Sequence, residues 1–538
     1  MASKKRKAND KQNKTSKLVF REFLSYAVWA YLFMMLTVFP LYVRDRFVYL
    51  AAYKVVYYRN ISLFFLGIGI LLLIVFLIQK RKEISKTSFA EFRKKITLPD
   101  IAVLSCGLWN IVSFLLSDCK AEAIRGFGGW EMGLVTQGLM VFGYVFIRLG
   151  WDKNKNTWYL PAAALTAESI LVVLNRTGND PLGFYVGLDW FSWSRRNLLG
   201  TIGNINWLCG YLVCVLPVLL VLYLTAKKFW IRLLIGIAAY LSMAAILLQG
   251  SRSGVLTLAV LLIVLPVFLS DTLERITAYL EILFMVCIFW TQMTAFRVDL
   301  IEPMHLDTPN TLYTPLWYIP TGILAVLIVL FRIKSKKCEK NIKDYKELVL
   351  PKPVRIVLKI IPALILLAGV SVFVLCQVSD SFWNLLGARE ILRFSDSWGS
   401  YRGILWKESL KEFFAGGIKD ILFGVGPDCY GEWYLARGMD IQQVGYYEEA
   451  MFSNAHNEWI TAMVQTGIIG ALVYLGIFVT VSVSFFKKFR ENKYKDIALL
   501  GILVLLAYFV NQFVSFQHIC VTPVFYILLA MCESAMQE

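Results

Sequence analysis

Apolar runs of about twenty residues alternate along this chain with short polar, mostly basic connectors, and each run is near the length a helix needs to cross a bilayer. The pattern predicts roughly fourteen spans. They are 20–43, 61–79, 100–117, 131–149, 157–176, 205–225, 231–249, 253–270, 279–296, 315–332, 357–377, 458–485, 497–515 and 520–535. One connector breaks the rhythm. Val378–Asn457, roughly 80 residues between the eleventh and twelfth spans, is far longer than ordinary loops. The expected organisation is a tail over 1–19, spans 1–11 over 20–377, a loop over 378–457 and spans 12–14 over 458–538.

Within the long loop the period changes. "YRGILWKESLKEFF" places Ile404, Leu405, Leu410, Phe413 and Phe414 at helical spacing, with Lys407, Glu408, Lys411 and Glu412 opposite. That is an amphipathic helix, suited to the bilayer surface or to roofing the bundle. "FGVGPDCYGEW" then reads as a turn.

Composition agrees with the pattern. The chain is 58% hydrophobic and 17% charged, whereas soluble domains are nearer half apolar and a quarter charged. The fold class is therefore an all-α polytopic membrane protein. The net charge of +17 is distributed over connectors, which argues against nucleic-acid binding and for membrane topology. With alternating spans and the basic tail "MASKKRKANDKQNKTSK" in the cytoplasm, roughly 36 Lys and Arg fall inside and 18 outside. The N-terminus is then cytoplasmic, in the plasma or inner membrane. The long loop, the "QGSRSG" turn and all three histidines, His305, His456 and His518, lie outside. The ten cysteines show neither disulfide-framework nor zinc spacing.

Few polar residues break this pattern. Arg252 sits in a tight turn between two spans, flanked by Ser251, Ser253, Gly250 and Gly254. An interfacial arginine often snorkels to headgroups, but a guanidinium among small donors also suits a phosphate or diphosphate. Arg402 opens the amphipathic helix, where a cation opposes the helix dipole. His456 stands between Asn454 and Asn457 at a helix entrance, and a histidine is the best general base at neutral pH. His305 and His518 lack such a setting. Glu168 is the one acid placed well inside a span. Asn204 and Asn206 either cap a helix or present amides to a sugar; Trp190, Trp193 and Trp207 suit a membrane-interface belt or sugar stacking. Glu448 and Glu449 are adjacent loop acids, more often solvated than metal-bound. No P-loop, G-x-G-x-x-G, H-E-x-x-H or outside D-x-D motif is present.

Taken in order, "GTIGNINWLCGYL", "SRSG", "YRGILWKESLKEFF…LFGVGPDCYGEW" and "HNEWITAMVQTGIIGALVYL" resemble the O-antigen ligase and polymerase superfamily of bacterial membrane glycosyltransferases. The resemblance runs from about Gly200 to Gly476, and "SDCKAEAIRGFGGWEMG" shares its look. It implies a GT-C-like bundle with an extracytoplasmic active site. The donor would be an undecaprenyl-diphosphate-linked glycan, the acceptor a glycan, lipid or protein hydroxyl, and the reaction would need no metal or other cofactor. Arg252 and Arg402 would grip the diphosphate and His456 would act as base. Asn204, Asn206, Arg196, Asn457 and Trp406 are the substrate-binding candidates. The span count and the distance between Arg252 and Arg402 exceed the family's usual pattern. A lipid-linked glycan transporter or flippase is the rival reading.

Overall fold

The computed structural model describes residues 20–80, 96–128, 131–189, 192–296, 314–341, 348–438 and 452–537. His305, Trp190, Glu448 and Glu449 lie outside the described residues, as does the basic tail. The described chain is a helical bundle, as expected. The two-residue strands Leu198–Leu199 and Gly203–Asn204 pair antiparallel around a tight turn.

Among the described residues, twelve helices are long and apolar enough to cross a membrane. Leu134–Gly150 and Thr522–Ala535 occupy the places of the expected fourth and last spans but are shorter, at 17 and 14 residues. Helical rise makes them only about 26 and 21 Å long. The bundle is built around Ile205–Thr225, 83% of whose apolar window is buried by neighbours. Pro315–Lys337 and Lys352–Val378 lie at the edge, with 0% and 6% buried, so their apolar side chains are covered by protein hardly at all. In a membrane that is the surface lipid would cover.

The charged groups of Lys54, Glu168 and Glu281 inside the bundle are each met by several partners, as low dielectric requires. Lys54 donates to the carbonyls of Phe39, Pro40 and Tyr42 at 3.1, 2.9 and 3.0 Å. Glu168 accepts from the backbone N–H groups of Thr201 and Ile202 and from the Thr201 hydroxyl at 2.6 Å. It therefore clamps the Gly200–Ile202 turn, and Gly200 has no room for a side chain because a Cβ would lie 2.2 Å from the Glu168 carboxylate. Glu168 is not the sole acid within a span. Glu281, inside Leu273–Phe296, accepts from Tyr223 and Arg232 on one oxygen and from Arg332 on the other, tying four helices together.

The long loop folds onto the bundle. Its helix Trp398–Phe414 turns Leu405, Ser409 and Phe413, four residues apart, into a second small core with Tyr430, Trp433, Tyr434, Ile460 and Val464. This matches the roofing alternative. Phe414, expected on the same face, is 58% exposed, because one helical step beyond Phe413 turns it by about 100°.

The last long span departs from the simple pattern. Glu458–Arg490 is broken at Gly467, whose φ of 71° and ψ of 176° no other residue adopts readily. The break frees the carbonyls ahead of it. Val464 accepts from Val425 N–H (3.1 Å), Gln465 from Gly426 N–H (2.9 Å) and from Ser113 Oγ (2.9 Å), and Thr466 from Trp109 Nε1 (2.8 Å). Irregular backbone at this depth is stable because protein groups replace the lost helical bonds. The loop backbone comes close enough that a Cβ on Gly467 would lie 2.3 Å from Leu422 O, and one on Gly424 the same distance from Gln465 O. Gly467→Ala is expected to destabilise the protein by about 1–3 kcal/mol from the backbone conformation alone, before any clash. Thermal unfolding in detergent reads this; an unchanged midpoint would refute the stated role of the break.

Candidate active site

His456 is the last residue but one before the broken helix, and several side chains fix its backbone. Asn454 Oδ1 accepts from His456 N–H at 2.9 Å, and Thr461 Oγ1 accepts from Ala455 N–H at 3.1 Å. Trp406 donates its indole N–H to Ala455 O at 2.9 Å, tying the loop helix to this turn. Asn457 caps the helix, accepting from Trp459 and Ile460 N–H, and its amide nitrogen donates to Phe513 O at 3.0 Å. Under these restraints His456 takes a φ of 47°, a left-handed conformation unusual for any residue but glycine. Such strain, of order 1–3 kcal/mol, is characteristic of functional positions. The ring meets Phe516 edge-on, with centroids 5.2 Å apart.

Asn457 and Trp406, expected at the substrate, are thus turned into the protein by their polar atoms. Both position His456. Trp406 also stacks with Phe394 and packs tilted against Trp398, with ring centroids 6.0 and 5.2 Å apart.

Arg402 follows a left-handed turn formed by Gly399, Ser400 and Tyr401, with φ of 61°, 61° and 66°. The turn folds the chain so tightly that Gly403 meets Ser395 O; a Cβ there would be 1.8 Å away. Arg402 Nη1 donates to Gly399 O at 2.7 Å. Its positive charge acts on His456. Burial, and then this guanidinium, push the imidazole pKa down to about 3. The ring is therefore neutral at physiological pH, the state a proton acceptor requires.

The other half of the site comes from the first part of the chain. Arg252 is the first residue of Arg252–Leu269 and its side chain is exposed. Beside it Ser251 Oγ donates to Asn206 Oδ1 at 2.9 Å and shares a 2.8 Å hydrogen bond with Ser253 Oγ. Ser253 in turn contacts Cys209 Sγ at 3.2 Å. The structure thus joins Asn206 to the "SRSG" turn. Asn204 acts as the cap of Ile205–Thr225, accepting from Asn206 N–H at 2.9 Å. Arg196 lies on the short helix Trp193–Asn197. Arg176 binds its carbonyl at 2.9 Å and also the carbonyls of Leu248 and Gln249, so the Arg196 loop is fastened next to the arginine turn.

A relay of rings brings the halves together. Trp207, one residue after Asn206, lies 5.9 Å from His518; His518 lies 5.9 Å from Phe516, and Phe516 contacts His456. His518, dismissed on sequence, is 2% exposed and lies within this relay, and its Nδ1 makes no hydrogen bond. Burial pushes its pKa down to about 3 as well. Sequence reasoning also passed over Asp428, whose carboxylate accepts from Phe127 and Met132 N–H at 2.7 and 2.8 Å and joins the long loop to the 126–132 segment. Burial pushes this acid up to about 7. Neither residue carries a local sequence signal; each is identified by partners far away in the chain.

A neutral histidine and an arginine whose field reaches it stand together; the second, exposed arginine and its hydroxyl–amide corner are linked to them through the ring relay. Cations beside a proton acceptor suit displacement of an anionic leaving group by a hydroxyl. Among the described residues no cluster of three or more His, Cys, Asp or Glu side chains could hold a metal ion.

Residues 313–475 match the family model described as O-antigen ligase. The match supports the O-antigen ligase and polymerase family, as the motif order implied. Over that stretch it supports an O-antigen ligase- or polymerase-type role in surface polysaccharide synthesis for this integral membrane protein. The role implies a lipid-linked glycan donor and a glycan or lipid acceptor. Arg402, Trp406, His456 and Asn457 lie inside the matched stretch; Arg196, Asn204, Asn206 and Arg252 precede it. No curated protein matches the chain.

Proposed function

We propose that this protein transfers glycan from an undecaprenyl-diphosphate carrier to an acceptor hydroxyl at the extracytoplasmic face of the cell membrane, with the N-terminus in the cytoplasm. The observation that carries this reading is the pairing of His456, neutral and held in a strained turn, with the charge of Arg402. Neutral His456 accepts the proton of the acceptor hydroxyl. The acceptor oxygen attacks the anomeric carbon, the bond from that carbon to the carrier phosphate breaks, and its electron pair leaves with the diphosphate. Attack opposite the leaving group inverts the anomeric centre. Arg402 and Arg252 stabilise the charge gathering on the diphosphate, and the roof and bundle hold donor and acceptor in line. Arg196, Asn204 and Asn206 line the approach on the "SRSG" side, with Asn457 and Trp406 supporting His456 from behind.

Transfer from a purified lipid-linked glycan to acceptor in proteoliposomes tests the proposal. Product of inverted configuration is expected, and transbilayer movement of the donor without new glycosidic bonds would overturn it. In cells, deletion separates the two roles. Accumulated single repeat units identify a polymerase, and full-length unattached polymer identifies a ligase.

A further inference from the structure

Two loops distant in sequence are docked together beside the candidate site, and both carry a cysteine. Cys119 lies in the 117–133 connector and Cys429 in the long loop, 310 residues later. The docking is built from several independent contacts. Ser117 Oγ accepts from Cys119 N–H at 3.1 Å and donates to Val425 O at 2.6 Å. Asp118 pairs with Lys419 at 2.9 Å, Asp428 receives two N–H groups from the opposite loop, and Gly431 has Phe127 where a Cβ would sit. At the centre Cys429 Sγ lies 3.5 Å from the backbone carbonyl of Cys119. The other described cysteines lie in helices, except Cys520, which is buried beside the last helix.

We propose that Cys119 and Cys429 form a disulfide that pins the long loop to the 117–133 connector. The proposal rests on the reading that this face is extracytoplasmic, where disulfides form and persist. Each thiol loses one hydrogen, an S–S bond forms, and two electrons and two protons pass to an oxidant, either the disulfide of an extracytoplasmic thiol oxidase or dioxygen. Cys429 is fully buried and its thiol pKa is pushed up, as is that of Cys119, both chiefly by burial. Neither is a ready thiolate once the loops have docked, so oxidation belongs to folding, while Cys429 is still accessible. The crosslink joins the segment that supplies the Asp428 contacts to the loop whose Val425 and Gly426 hold the broken helix behind His456.

The test uses full-length protein in its native membrane, acid-quenched and then denatured and alkylated with and without prior reduction. Eight of the ten cysteines are expected to react without reductant and two more after it. Mass spectrometry should identify a linked Cys119–Cys429 peptide lacking two hydrogens, and the double variant Cys119→Ser, Cys429→Ser should lose the reductant-dependent gain. Ten reactive thiols in the unreduced parent protein would overturn the crosslink. A cysteine introduced at Leu385, 78% exposed on the long loop, tests the face separately through an impermeant maleimide and right-side-out vesicles. If Leu385→Cys is labelled while Cys119 and Cys429 remain thiols, the crosslink fails and the topology stands. Labelling only after lysis overturns the topology and the crosslink with it.

Discussion

His456→Ala is expected to lower the rate of glycan transfer by about 10²- to 10⁴-fold, the usual contribution of a positioned general base. KM for the donor should change little, because in the proposed mechanism the arginines, not His456, hold the carrier diphosphate. The pH profile is more diagnostic. The pKa of His456 in the free protein is about 3, below the ordinary value of about 6.5. The ring therefore stays neutral as the pH falls from 8 to 5, and kcat/KM should show no histidine limb near 6.5. The sign for stability is the same. The unfolded chain takes up this proton below about 6.5, whereas the folded chain does so only near 3. This contribution to stability is therefore complete above the unfolded value and is lost as the pH falls through the window. Proteoliposome assays with a defined lipid-linked donor measure both quantities. A His456→Ala protein with full transfer activity would remove His456 from the mechanism.

The sequence carried the fold class and the order of the site more fully than the contacts within it. Long apolar runs located the helices because membrane-spanning length is a one-dimensional signal. Gly467 was invisible in that signal. A glycine in an apolar run reads as part of a span, and its role depends on Leu422 and Gly424 approaching from the long loop. Glu281 lay within a predicted span yet escaped notice, since its partners Arg232 and Arg332 come from two other helices. The small polar cluster around His456 was legible as a capped helix entrance, and Asn457 does cap it. That the Asn457 amide also reaches Phe513, or that Trp406 reaches Ala455, requires the tertiary fold. The left-handed turn at 399–401 likewise contains two residues, Ser400 and Tyr401, that no turn rule would place there. The Cys119–Cys429 contact has no spacing pattern to reveal it, because 310 residues separate the two partners.

Arg402→Ala tests the coupling at the heart of the site. Transfer should fall by about 10²- to 10³-fold through loss of charge stabilisation in the transition state. Arg402→Lys should recover only part, since an ammonium keeps the charge but not the planar fork that matches phosphate oxygens. The two roles of Arg402 predict opposite effects on different observables. Burial is the larger cause of the low His456 pKa and the charge of Arg402 adds to it, so its removal raises that pKa part of the way toward the ordinary value while activity falls. Arg252→Ala should also cost activity, but Arg402 is the charge that acts on His456, so the histidine pKa should stay where it is. The chain has only three histidines, which makes the titration resolvable by NMR of histidine-labelled protein, with His305→Gln and His518→Gln variants to assign the signals. A His456 pKa unmoved in Arg402→Ala would break the proposed pair even if activity were lost, because an arginine that only grips donor would leave the free histidine unchanged. A raised pKa together with lost transfer places base and cation in one electrostatic unit, as displacement of a diphosphate demands.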